Sequence, residues 1–176
     1  MTRYAVFIRN IMVGRNGLDR DILVDAFREH GATRVDSVLA TGNLVFDAKP
    51  SQVEGIVYGA RHALQTKVGL AEPMFLREFR ELKELAPFLP FASPRFATVH
   101  ERCVTFLSSG SQLRGRLPYH SPREDFEVVV AYELNVFSAT WLVANRPGQP
   151  GKWIERQTGS AVTTRNWNTI ERLLKR

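Results

Sequence analysis

The 176-residue chain has a single cysteine, and its four histidines are scattered rather than grouped. One cysteine cannot form an internal disulfide, so we expect a reducing, cytoplasmic compartment. No histidine has a partner at the spacing of a metal-binding pair, and the sequence therefore predicts no metal site and no cofactor. Cys103 begins an apolar run, which favours a small core residue over a reactive thiol.

Long apolar runs are also lacking. No segment approaches the roughly 18 consecutive apolar residues that a membrane-spanning helix needs. The N-terminal residues lead directly into a strand-like run, so we expect no signal peptide. Hydrophobic residues make up 44% of the chain, which is enough to build a core. We therefore expect a soluble protein with no membrane partner.

Positive charge is concentrated at the C-terminal end. Residues 146–176 contain seven lysines or arginines and two glutamates, a net charge of +5 out of +6 for the whole chain. A local basic surface favours phosphates, nucleic acid or acidic partners. A solvated basic segment without a ligand is the competing interpretation, because charge runs usually form plain surface.

The first half of the chain predicts alternating strands and helices. An apolar run of strand length occurs at residues 4–8, and shorter strand candidates follow at 34–39, 44–47 and 73–76. Helical spacing of apolar residues begins after the capping residue Asp19 and at the capping box 51–54, and it ends at Gly31 and Gly69. The order β-α-β-β-α-β is the split pattern of ferredoxin-like domains.

The second half repeats this pattern in a degraded form. Three prolines within residues 87–94 resist regular structure and predict a boundary after a short helix near residue 80. The expected organisation is a first subdomain at 1–86, a connector at 87–99 and a second subdomain at 100–176. Beyond the connector we predict the order β-α-β-β-α-α, with residues 108–111 opening the first helix. The predicted fold class is α+β, with two ferredoxin-like subdomains packed into one compact unit.

Three segments together resemble a known family. They are Arg9-Asn10-Ile11-Met12-Val13-Gly14, residues 41–46 and the string Thr163-Thr164-Arg165-Asn166-Trp167-Asn168-Thr169-Ile170. The chain resembles the bacterial domain of unknown function 1697 family over nearly its whole length. The resemblance implies two α+β subdomains of ferredoxin-like character and no established activity. The family usually has glycine at Asn10 and asparagine at Met12, and a Cβ at residue 10 takes space beside any ligand that approaches the backbone closely.

Polar residues at three element ends form the candidate ligand site. These ends are the loop at 9–17, the turn at 42–43 and the entrance of the last helix at 165–168. The ligand-binding candidates are Arg9, Asn43, Arg165, Asn166 and Asn168. The arginines supply charge, the asparagines orient the ligand, and a helix start offers backbone N–H groups to an anion. If the three ends converge, they predict a small pocket for an anionic or phosphorylated molecule.

Each part of this site also has a purely structural interpretation. Glycine and asparagine in the loop make turns, Asn166 or Asn168 caps the last helix, and Arg165 forms an internal salt bridge. The stretch Gly148–Lys152 is not a P-loop, because Arg146 stands where the first glycine belongs and Trp153 follows the lysine.

Two other functions stay open. One is a transferase or hydrolase acting on a phosphorylated substrate, although the sequence identifies no general base for it. The other is nucleic-acid binding through the basic C-terminal segment. We interpret Glu124, Asp125 and Glu127 as solvent-facing carboxylates at the entrance of a strand.

Overall fold

The computed structural model describes residues 1–88 and 90–176. The chain combines helices with antiparallel sheets in an α+β architecture. It divides into two compact units, one formed by Met1–Glu84 with Arg172–Arg176 and the other by Leu85–Glu171. Leu89, inside the predicted connector at 87–99, lies outside the described residues.

The first unit follows the predicted order β-α-β-β-α-β. Its elements are β1 (Thr2–Ile8), α1 (Arg20–Arg28), β2 (Thr33–Val38), β3 (Asn43–Ala48), α2 (Val53–Val68) and β4 (Met74–Glu78), followed by the short helix α3 (Phe79–Leu85). The strands form one antiparallel sheet in the order β2-β3-β1-β4.

The core of this unit lies between the sheet and helices α1 and α2. Alternate residues of β1 and β3 share one face, so that Tyr4 lies opposite Phe46 in the ladder. The ring of Phe27 from α1 packs 5.3 Å from the ring of Phe46. Leu64 from α2 joins the same cluster and is fully buried. Burial of such side chains stabilises the unit by about 1.5–3 kcal/mol each.

The ends of α1 and α2 differ in how well the sequence predicted them. Asp19 caps α1, because its Oδ1 accepts a hydrogen bond from the backbone N–H of Ile22 at 2.7 Å. The capping box predicted at residues 51–54 is wrong, since α2 begins after Gln52, which makes no side-chain capping bond. Gly69 ends α2 with a φ of +70°, a conformation that glycine adopts without strain.

The second unit contains a five-stranded antiparallel sheet. Its elements are β5 (Glu101–Leu107), β6 (Tyr119–His120), β7 (Phe126–Tyr132), β8 (Asn135–Thr140), β9 (Leu142–Val143), β10 (Arg146–Pro147), α4 (Pro150–Thr158) and β11 (Val162–Asn166). The main sheet has the order β11-β5-β8-β7-β6, and β9 pairs with β10 in a separate ribbon. Helix α5 (Trp167–Leu173) follows β11 directly.

Two predictions for this half of the chain are wrong. Residues 108–111 open no helix, and Gly110 has a φ of +77° that a right-handed helix does not allow. The predicted order also lacks strand β11 (Val162–Asn166), although the last helix does begin directly after Asn166, as predicted. The β-branched run Val162-Thr163-Thr164 favours a strand, and the hydroxyls of Thr164 and Thr105 lie 2.8 Å apart across the β11–β5 ladder.

One buried carboxylate joins three neighbouring strands of the first sheet. The side chain of Asp47 is 4% exposed and accepts hydrogen bonds from Arg3, at 2.9 Å, and from Arg34. Burial by itself raises the pKa of Asp47, but the hydrogen bonds from Arg3 and Arg34 outweigh it and hold that pKa below its ordinary value. The charged carboxylate therefore stabilises the folded unit.

Replacing Asp47 by asparagine is expected to lower the free energy of unfolding at pH 7 by about 2 kcal/mol, because two arginines lose a charged acceptor. A carboxylate with a depressed folded pKa stabilises the fold above its unfolded pKa and loses this contribution as pH falls through the folded value. The difference between the two proteins should therefore shrink below about pH 4, which urea denaturation at several pH values can measure.

The matched control is Asp36→Asn. The carboxylate of Asp36 is 29% exposed and pairs with the exposed Arg20 and Arg176, so the expected loss is below about 1 kcal/mol. An equal loss in both variants would contradict the role given to Asp47.

Candidate functional site

The predicted loop at 9–17 lines a small cavity in the first unit. Together with the end of α2 it encloses about 140 Å³, between Asn10–Met12, Arg15, Asn16, Leu18 and residues 68–70. Asn10 has a φ of +51°, in the left-handed region that glycine favours and asparagine tolerates. This backbone conformation explains why asparagine can replace the usual glycine at position 10.

The geometry of this loop does not favour an anion. Some of its backbone donors are already used, since the N–H groups of Val13 and Gly14 donate to Ala40 and Leu18 at 2.7 Å each. The N-terminus of α1 is occupied by the carboxylate of Asp19. The cavity instead adjoins the C-terminal end of α2, where the helix dipole is negative.

The turn at 42–43 lies against this loop. Gly42 has a φ of +75°, and a Cβ there would lie 2.5 Å from Cγ1 of Ile11. Asn43 is fully buried, and its Nδ2 donates to the Val38 carbonyl and to Oγ1 of Thr41 at 3.0 Å each. Its side chain closes the β2–β3 hairpin and leaves no surface for a ligand.

Strand β11 separates two of the predicted site residues. Successive side chains of a strand point to opposite faces, so Arg165 and Asn166 cannot act side by side. Nη1 of Arg165 donates to Oγ1 of Thr163 at 2.8 Å and to the Thr164 carbonyl at 2.9 Å. Burial lowers the pKa of Arg165 to about 10, which leaves the side chain charged at neutral pH.

The predicted site residues belong to both units. Arg9 and Asn43 lie in the first unit, and Arg165, Asn166 and Asn168 lie in the second. Arg9 follows β1, and its backbone N–H donates to the Pro73 carbonyl at 3.1 Å. A single site that joins all five residues stays a prediction.

Asn166 and Asn168 line one cavity of about 170 Å³ with His100, Glu101 and Arg102. Nδ2 of Asn166 donates to Oε1 of Glu101 at 3.2 Å, and its Oδ1 accepts from the backbone N–H of Asn168 at 2.9 Å. Both ends of the Asn166 amide are therefore used to join β5 to the start of α5. This geometry matches the capping role that the sequence suggested for Asn166.

Cys103 is buried beside this cavity. Its Sγ lies 3.9 Å from Oε2 of Glu101, on the strand that pairs with β11. Burial, together with the negative charge of Glu101, raises the pKa of Cys103 to about 12. The thiol is therefore neutral at physiological pH and acts as a core residue.

A larger cavity in the second unit is strongly basic. It measures about 370 Å³ and has four cationic side chains, Arg123, Arg146, Lys152 and Arg156, in its lining. Its other lining residues are Tyr119, Ser121, Pro122, Asp125, Phe126, Pro147, Gln149 and Trp153. Among the described residues, no ion pair engages Arg146, Lys152 or Arg156.

Local backbone chemistry assembles this basic cavity. Oγ of Ser121 accepts from the N–H groups of Asp125 and Phe126 and donates to Oδ1 of Asp125 at 2.7 Å, which fixes the turn before β7. Gly148 packs on that turn so closely that a Cβ would lie 2.2 Å from the Asp125 carbonyl oxygen. This contact brings Arg146 and the start of α4 to the same side as the turn.

Sequence reasoning missed this cavity although it noticed the charge. Arg146, Lys152 and Arg156 belong to the basic segment 146–176, and Lys152 and Arg156 are four residues apart on one helix face. The usable signal was the glycine at position 148, between two prolines within that segment. The contribution of Arg123 depends on a tertiary contact and had no local signal.

A third cavity of the second unit, of about 430 Å³, lies near the same turn and contains a buried carboxylate. Glu127 is 3% exposed and accepts a hydrogen bond from Nη2 of Arg95 at 2.7 Å. His120 lies opposite Glu127 in the β6–β7 ladder, with its Nδ1 3.7 Å from Oε2. The prediction that Asp125 and Glu127 face solvent is therefore wrong, because each carboxylate is buried against its own partner.

Two kinds of structure are not found in residues 1–88 and 90–176. No three histidine, cysteine, aspartate or glutamate residues are grouped as metal ligands there. No helix in this part of the chain is both long enough and apolar enough to cross a membrane.

Replacing Asn166 by alanine is expected to lower the free energy of unfolding by about 1–2 kcal/mol, because the Asn168 N–H and Glu101 both lose a partner. Asn168→Ala should change it by less than about 0.5 kcal/mol, since that side chain is exposed. Urea denaturation measures both values. Similar losses for the two variants would rule out the joining role of Asn166.

The Cys103 thiol of the folded protein is expected to react with a disulfide reagent at pH 8 at least about 100-fold more slowly than in the urea-unfolded chain. A thiol with a pKa of about 12 is almost entirely protonated at that pH. The reagent is an aromatic disulfide that releases a coloured thiolate when it reacts, and the absorbance of this product gives both rates. Comparable rates would show that the thiol is accessible and ionised.

Comparison with known proteins gives the family and the fold. The family model described as "Protein of unknown function (DUF1697)" matches residues 1–137. The solved structure of the conserved bacterial protein SP0830 from Streptococcus pneumoniae has a TM-score of 0.70 at 17% identity. That match covers 100% of this chain and 99% of the other, and it shows a shared fold. No curated protein matches the chain. The chain belongs to the DUF1697 family, whose members are described as proteins of unknown function.

Proposed function

We propose that the protein is a binding module for an anionic, phosphate-bearing small molecule, which it holds in the basic cavity of its second unit. The single observation that carries this proposal is the charge of the lining. Four cations surround about 370 Å³, and Asp125 is the one carboxylate among the lining residues. Both the volume and the concave shape suit a small ligand.

The donors of this cavity suit phosphate oxygens. Arginine offers paired N–H groups that match two oxygens of a phosphate, and lysine adds a compact charge. Helix α4 begins beside the cavity, and its N-cap residue Gln149 makes no side-chain capping bond. The positive end of the α4 dipole therefore adds to the attraction of the four side chains.

The enzyme alternative is weaker because the cavity lacks a suitable base among the described residues. Asp125 is held by Ser121, and Arg123 lies 3.6 Å from it. His120 belongs to the same short strand as Tyr119 but points to the opposite face, where it lines the cavity of Glu127. A transferase or hydrolase acting on a phosphorylated substrate would need a base in the basic cavity.

Nucleic-acid binding is the second alternative. It would need basic side chains spread along an extended track, with an affinity that falls steeply with salt. The four cations of the cavity are clustered around one concave space instead, which favours a small molecule.

We also propose a fold type for the two units and structural roles for Asn43 and Asn166, which the sequence had suggested as ligand-binding residues. We propose that both units are ferredoxin-like, with the order β2-β3-β1-β4 in the first and a corresponding β11-β5-β8-β7 in the second. Residues 87–99 connect the two, and the protein acts in the cytoplasm. Asn43 holds the β2–β3 hairpin and Asn166 holds the start of α5, whereas the basic cavity binds the ligand.

The double variant Lys152→Ala/Arg156→Ala is expected to weaken binding of inorganic pyrophosphate by at least about tenfold, because two phosphate contacts are lost. Isothermal titration calorimetry at low salt measures the dissociation constant. Pyrophosphate is the probe because it has charge without any other recognisable group.

The matched control is Arg172→Ala/Lys175→Ala. It removes the same charge from exposed positions of the same basic segment and should leave the affinity within about twofold. Equal weakening by both double variants would refute the cavity as the binding site. Binding of random duplex DNA but not of pyrophosphate would favour the nucleic-acid alternative.

A further inference from the structure

We propose that the ligand of the basic cavity carries a planar aromatic ring together with its phosphate, as a nucleoside monophosphate does. This inference rests on the anion binding proposed above and adds the chemical class of the ligand. It depends on the apolar and aromatic residues that share the cavity with the cations.

Volume is the first reason. The cavity measures about 370 Å³, and a water molecule in the liquid occupies about 30 Å³. An inorganic phosphate has five non-hydrogen atoms and would leave most of this space to water. A cavity of this size is typical of sites that enclose an organic molecule.

The aromatic lining is the second reason. The rings of Tyr119 and Trp153 both line the cavity, and they stack with centroids 4.2 Å apart and planes inclined by 17°. Phe126 lies 6.0 Å from Tyr119, and Pro122 and Pro147 add further apolar surface. A site for a bare oxyanion needs no such surface, whereas an aromatic ring of a ligand stacks on it.

The aromatic pair is already held in place. A Cβ on residue 115 would lie 2.4 Å from Cη2 of Trp153, so the absence of a side chain at Gly115 lets the chain pack directly on this ring. Trp153 is 7% exposed and belongs to the cluster of Leu107 and Ile154. Tyr119 therefore stacks on a fixed support, and ordering it around a ligand costs little conformational entropy.

Charge and rings share helix α4. Lys152 and Arg156 lie on the helix that contributes Trp153. A ligand that reaches these cations therefore also lies beside the aromatic wall, which consists of Tyr119, Phe126 and Trp153. The exposed amide of Gln149 can donate and accept, which suits the polar edge of a heterocycle.

The test compares two ligands that differ by the ring. Adenosine monophosphate and ribose 5-phosphate have the same sugar and phosphate, and calorimetry at one pH and salt concentration gives both dissociation constants. We expect adenosine monophosphate to bind at least about fivefold more tightly, which is the lower end of what base stacking contributes. In the variant Tyr119→Leu this preference should disappear, and Tyr119→Phe should retain it.

Tyr58→Ala is the matched control, because Tyr58 is 77% exposed on α2 in the first unit and should affect neither ligand. Equal affinities for the two ligands would overturn the ring inference and leave phosphate binding intact. If pyrophosphate and both sugar phosphates fail to bind, the proposed function itself is wrong. If Tyr119→Leu still binds adenosine monophosphate more tightly than ribose 5-phosphate, Tyr119 does not form part of the ring-binding site. If Tyr119→Leu does not fold, the affinities of the natural protein for the two ligands still test whether the ring contributes to binding.

Discussion

The two-residue periodicity of antiparallel strands determines where the polar side chains of the second unit lie. Tyr119 and His120 are neighbours in sequence, but they line different cavities because they point to opposite faces of β6. The same rule divides Arg165 from Asn166 on β11. A set of polar residues that looks like one site in the sequence is thereby distributed over several separate environments, each with its own charge.

The elements of the first unit could be predicted because local signals and tertiary packing agree there. Apolar runs of strand length, the cap at Asp19 and the stop at Gly69 all coincide with real boundaries. Strand β11 was missed because its arginine, asparagine and threonines also suit the entrance of the helix that begins at Trp167. The hydroxyl of Thr164 contacts that of Thr105, on a strand about 60 residues earlier, and this contact favours a strand at 162–166. No local sequence pattern reveals such a long-range contact.

The candidate site was predictable only in its charge. Counting residues located the positive excess at the C-terminal end, which is where three cations of the basic cavity originate. The fourth cation and two of the three aromatic rings, Tyr119 and Phe126, come from the segment 119–126, which meets the basic segment through the close contact of Gly148 with Asp125. The family model ends at residue 137, before the cations of α4 and β10, so its match says nothing about this part of the cavity.

The spacing of Lys152 and Arg156 also affects the protein when nothing is bound. Like charges four residues apart on a helix repel each other and destabilise it by a few tenths of a kcal/mol. A multivalent anion that settles between them removes this repulsion, and since only the folded helix holds the pair, it also shifts folding. Under the proposed function, phosphate or sulfate buffers would therefore act as competitors and as stabilisers at once, so the choice of buffer becomes an experimental variable for this protein.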